Sequence, residues 1–143
     1  MGQSDDKAAE SLYFDVFGVV AANGDFLEPE DGADLLLPEA FLASVAATAI
    51  VAFVKGYFGQ LGKQFAERLR SRPFRNGELI EVEPSALIAE VSKAMKATRL
   101  DTTQLSRAHV EVEKTLRQIG VADAVNTKIT IEVTSSVERH WHV

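Results

Sequence analysis

Residues 40–54, AFLASVAATAIVAFV, contain no charged side chain, and any fold open to this chain must first find somewhere to put them. As a helix the run extends about 22 Å, short of the roughly 30 Å of hydrocarbon in a bilayer. Reaching bilayer length means continuing to residue 62, which takes in Lys55, Gln60 and three glycines. An ionisable group inside a span costs about 3 kcal/mol on insertion scales. Six of the fifteen residues are alanine, and with Ser44 and Thr48 they let neighbouring helices come close on several sides. The segment therefore reads as a helix buried in protein, with a helix that joins two copies and a membrane-inserting helix as the alternatives. The positions assigned to self-association are Ala43, Ala47, Ile50 and Val54, continued by Gly56, Gly59 and Gly62. Those glycines recur every third residue, which fits close packing of a neighbouring backbone, or a helix break, better than a hinge.

Charge is segregated around this run. Residues 1–39 carry ten acids and one lysine, whereas residues 40–75 carry six basic groups and one acid. An acidic arm, an apolar run and a basic tail in that order suit a membrane helix with its basic end cytoplasmic, and they equally suit a basic helix end paired with the acidic arm. The basic surface is assigned to Lys63, Arg68, Arg70, Arg72 and Arg75. The net charge of −6 speaks against nucleic acid as the partner of that surface, and an anionic lipid surface is the second candidate.

With 143 residues, 46% of them hydrophobic, the chain has the material for one core and not two. The division expected is a flexible acidic arm over residues 1–10 and a single domain over residues 11–143. The absence of cysteine excludes thiol catalysis, disulfides and thiolate metal sites. It also gives no sign of an oxidising compartment, so a cytoplasmic location, peripheral to a membrane if the basic run engages lipid, is expected. Residues 1–11 lack the pattern of a secretory signal, and Asp6 stands where a myristoylation motif needs Ser or Thr.

Periodicity supplies the fold class. Residues 11–20 place Leu12, Phe14, Val16 and Val20 on one face of a strand, and residues 77–83 read as a second, short strand. Pro38 opens a long helix that runs to about residue 72, before Pro73. Pro84 opens another, with Leu87, Ile88, Val91 and Met95 as its stripe. A third begins at Asp101, whose carboxylate can cap the amide of Gln104; Leu105, Ala108, Val112, Leu116 and Ile119 form its buried face, and Gly120 ends it.

From Lys128 onward apolar and polar residues alternate to Val143, which predicts a terminal strand that either turns back near Ser135 or projects to pair with a partner, carrying Trp141. The class expected is therefore α+β: a small sheet of three or more strands, packed on one face by helices, with one long Ala/Gly-rich helix. The same alternation puts Glu138, His140 and His142 on one polar face. Those are ligand types for zinc, but a solvated strand face explains them without a metal, so no cofactor is expected. No nucleophile elbow, phosphate loop, dinucleotide fingerprint or zinc-protease motif is present. The functional expectation is a non-enzymatic interaction or assembly module whose partner is a protein or a second copy. The alternative is a membrane-acting protein whose helix over residues 38–72 enters or lies on an anionic bilayer.

Overall fold

Ten consecutive residues, 45–54, are each at most 2% exposed. No amphipathic helix can achieve that, since one packed on a single side keeps part of its circumference in solvent. In a computed structural model, which describes residues 2–24, 38–68, 79–96 and 99–141, this run lies within α2 (Pro38–Phe58), and the remaining helices sheathe it. They are α1 (Gly2–Ala22), α3 (Gln60–Arg68), α4 (Pro84–Lys96), α5 (Thr102–Gln118) and α6 (Asp123–His140). Helices α1, α3, α4, α5 and α6 all touch α2, and α1 also packs on α6 and α4, while α5 packs on α6.

The expected α+β class is thereby overturned: the protein is all-helical, and no strand exists among the described residues. Each of the three expected strands has its own correction. Residues 11–20 belong to α1, which begins at Gly2 and so takes in the stretch expected to be a loose arm; Ala8 and Ala9 on it are buried. Residues 128–140 belong to α6. Of the third segment, residues 79–83 belong to no helix or strand: the Ile80 amide donates to the Thr48 hydroxyl of α2 at 2.8 Å, and Ile80 is 1% exposed. Thr48 in turn donates to the Ser44 carbonyl at 2.7 Å, so its buried hydroxyl is used in both directions.

Of the long helix expected over residues 38–72, the described part, 38–68, is two helices, and residues 69–72 lie outside the described residues. Gly59 adopts φ +62, a conformation that costs an L-residue about 1–2 kcal/mol, and α3 starts at the next residue. α3 then folds back so closely that a Cβ on Gly62 would meet the backbone of Val54 and Lys55. Gly56 lies as close to α5, where an added Cβ would come 2.9 Å from Ala108 Cα. The expected close approach of backbones is found at Gly56 and Gly62, and the expected break at Gly59.

Helices α4 and α5 match their sequence signals. Leu87, Val91 and Met95 are buried, with Ile88 partly so. Asp101 caps α5 by accepting from the Thr103 and Gln104 amides at 2.8 and 3.3 Å. At the other end Gly120 takes φ +92, the Val121 amide reaches the Leu116 carbonyl and the Gly120 amide reaches that of Arg117, closing a Schellman motif. Tyr57 fastens the α4–α5 connection to α2: its hydroxyl donates to the Arg99 carbonyl and accepts from the Asp101 amide at 2.6 Å. Burial raises the phenol above its usual pKa, outweighing the lowering effect of the Asp101 amide.

Candidate functional site

The positions assigned to self-association from the sequence are mostly spent inside the fold. Ala47, Ile50 and Val54 are at most 2% exposed, and Ala43 is partly buried. Trp141 does not project: it follows α6, its amide donates to the Val137 carbonyl at 2.8 Å, and its ring lies 5.0 Å from that of Tyr57 and 6.3 Å from that of Phe58. Lys63 and Arg68 fall on α3, but their side chains, like Arg70, Arg72 and Arg75 altogether, lie outside the described part of the chain.

The candidate ligand set of Glu138, His140 and His142, which the sequence did not require to hold a metal, loses its geometric basis with the strand. On a helix, residues two apart point to nearly opposite sides. Accordingly Glu138 lines a shallow groove with His109 and Val110 between α5 and α6, whereas His140 turns to α1; His142 lies outside the described residues. Among the described residues no group of three potential ligands comes together.

Sequence reasoning missed the α1–α6 face. Phe14 and Ile131 are 57% and 52% exposed, and both line one open groove together with the apolar Gly18, Val19 and Ala22 and the polar Asp15, Asn23, Lys128 and Glu132. A period of two puts Phe14 with Leu12 and Val16, and Ile131 with Ile129 and Val133, on buried faces. The helical period instead buries Leu12, Val16 and Val20, and Val125, Ile129, Val133 and Val137, and leaves Phe14 and Ile131 outside. The four-residue spacing was visible in the sequence and would have picked out these two residues as unburied.

The two helices run antiparallel, since Asp15 meets Ser136 and Arg139 while Asn23 meets Lys128. Asp15 Oδ2 accepts from Ser136 Oγ at 2.8 Å and from Arg139 Nη2 at 3.1 Å, and His140 Nε2 stands 3.3 Å away. Arg139 also reaches Glu132 at 3.2 Å. Burial raises the Asp15 pKa, but the Ser136 hydroxyl, the Arg139 guanidinium and His140 together outweigh it, and the carboxyl is held below its usual value. Serine, carboxylate and imidazole are thus neighbours, but the carboxylate stands between the other two. A nucleophilic triad needs the imidazole in the middle, and a carboxylate held ionised is a weak base. The arrangement suits fastening α1 to α6.

Because the folded carboxyl titrates below the unfolded one, its stabilising contribution is complete above the unfolded value near 4 and disappears as pH falls through the folded value. Asp15→Asn is expected to cost on the order of 1 kcal/mol or less at pH 7, since the pair is partly exposed, and to flatten the loss of stability below about pH 4. Urea unfolding at pH 7 and pH 3 reads both effects, and a variant that tracks the unmodified protein at both would remove Asp15 from this role.

Compared with known proteins, the chain matches no family model, no curated protein and no solved structure.

Proposed function

We propose that this protein is a non-enzymatic interaction module that docks a protein partner on the α1–α6 face. The observation that carries the reading is the groove in which Phe14 and Ile131 stand exposed over Gly18. Single exposed apolar side chains are ordinary on a protein surface, but two large ones over one groove, rimmed by charge, form the apolar centre and polar rim that partners bury. The Phe14 ring is held edge-on against Tyr13, with centroids 5.4 Å apart, and a ring so braced loses little freedom on docking.

A photo-crosslinking amino acid placed at position 14, with a control at the exposed Lys114, tests this in cells that express the protein natively. A discrete adduct from position 14 and none from 114 supports the reading. No adduct from either, or the same diffuse set from both, overturns it.

A second reading rests on α2. Its segment Phe41–Phe58 is long and apolar enough to cross a membrane, and the whole helix extends about 31 Å. An apolar helix sheathed by amphipathic ones can leave its sheath for lipid, with the following basic run at anionic headgroups. Flotation with anionic liposomes favours this reading, and protein that stays at the bottom of the gradient removes it.

A further inference from the structure

The occupant of the α1–α6 groove has a chemistry that the groove itself supplies. On α6, Lys128 and Glu132 stand one turn apart on either side of the level of Ile131, and both border the groove. The Lys128 amine donates to the neutral Asn23 amide oxygen at 3.4 Å. Glu132 shares Arg139 with Asp15.

A cation and an anion one turn apart on one helix are complementary to themselves under a two-fold rotation about an axis midway between them, as an isologous interface requires. Gly18 adds an independent observation. It is exposed in the middle of α1, where glycine costs about 1 kcal/mol relative to alanine, and a Cβ there would meet nothing within 4 Å. The fold does not need this glycine, unlike Gly56 and Gly62, whose missing side chains admit another backbone. A bare notch beside Phe14 and Ile131 is what an incoming apolar side chain needs.

Resting on the docking reading above, we propose that the partner is a second copy of this chain. The two α6 helices lie antiparallel across a two-fold axis midway between Lys128 and Glu132. Lys128 of each copy then meets Glu132 of the other, and Ile131 of one copy comes to the Gly18 notch of the other. Two large side chains and an open groove make a small interface, so association is weak, and it weakens further as salt rises.

The symmetry gives a decisive test. Lys128→Glu alone places like charges opposite each other at both contacts, and so does Glu132→Lys alone. A mixture of the two variants restores opposite charges at both contacts. Light scattering on a sizing column, across roughly 1 µM to 1 mM, is expected to show the unmodified protein moving to twice its monomer mass, each variant staying monomeric, and the equimolar mixture recovering the dimer. Gly18→Leu, which fills the notch from an open position, is expected to stay monomeric with an unchanged helical circular dichroism spectrum.

A monomer at the highest concentration overturns the second copy as partner, and so does a dimer indifferent to Lys128→Glu and Gly18→Leu. In either case the adduct at position 14 still decides whether the face docks another protein, so the two readings fail separately.

Discussion

Trp141→Ala is expected to destabilise the protein by about 3–5 kcal/mol, the usual cost of deleting a buried aromatic ring. Trp141 is 2% exposed although it stands at the end of α6, one residue beyond its last turn. Its ring closes an aromatic group with Tyr57 and Phe58 over the C-terminal end of α2, and Phe53 stacks on Tyr57 at 5.6 Å from within the core. Truncation opens a cavity that Tyr57 cannot close by moving, because its hydroxyl is bonded to Arg99 and Asp101. For a domain of this size the loss corresponds to a fall in the thermal midpoint of roughly 10–20 °C. Urea unfolding should be followed by far-ultraviolet circular dichroism, since Trp141 is the chain's one tryptophan and the variant has lost that fluorophore. Trp141→Phe should recover about half of the loss. A cost under about 1 kcal/mol would mean that the ring is not packed on α2, and would return the C-terminus to the role of a free docking element.

What was legible in the sequence divides by the kind of signal. Pro84, the Asp101 cap, the stripe of α5 and Gly120 act through local geometry that any tertiary setting preserves, and these elements appear as read. Residues 11–20 and 128–140 carried an ambiguous signal. An apolar residue at every fourth position fits a period of two as well as a helical turn, and Thr, Val and Ile enrich both strands and this α6. The strand reading required Phe14 to point the same way as Leu12 and Val16, and Ile131 and Arg139 the same way as Val133 and Val137. What decides against it is α2, whose all-round apolar surface needs a sheath of helices, and that is a property of the whole chain that no local window contains.

The candidate site was missed for the same reason, because the residues now exposed in the groove are those that the period of two had buried. Asp15 illustrates a second limit. Its partners Ser136 and Arg139 lie 121 and 124 residues away, a separation that sequence spacing does not register.

The glycines offer a sharper test of the packing, because the same substitution is expected to destabilise at two sites and to stabilise at a third. Gly62→Ala puts a methyl group 2.6 Å from Lys55 Cα and closer still to the Val54 carbonyl oxygen. Neither can swing away as a side-chain tip could, since both belong to the helix backbone against which α3 is folded, so the α2–α3 hairpin must open. Overpacking by a single methyl usually costs about 1–3 kcal/mol, and an obstacle made of backbone places this variant at about 3 kcal/mol. Gly56→Ala meets Glu111 Cβ at 2.7 Å and Ala108 Cα at 2.9 Å, and should cost nearly as much by pushing α5 from α2.

Gly18→Ala faces open space in a helix of favourable φ, and should stabilise by about 1 kcal/mol through helix propensity and reduced freedom of the unfolded chain. Thermal unfolding of the three variants side by side therefore reads the helix crossings directly. Equal small gains at all three positions would mean that α2 does not approach α3 and α5 as closely as the fold requires. A loss at positions 56 and 62 with a gain at 18 would fix α2 as the helix around which the others are assembled.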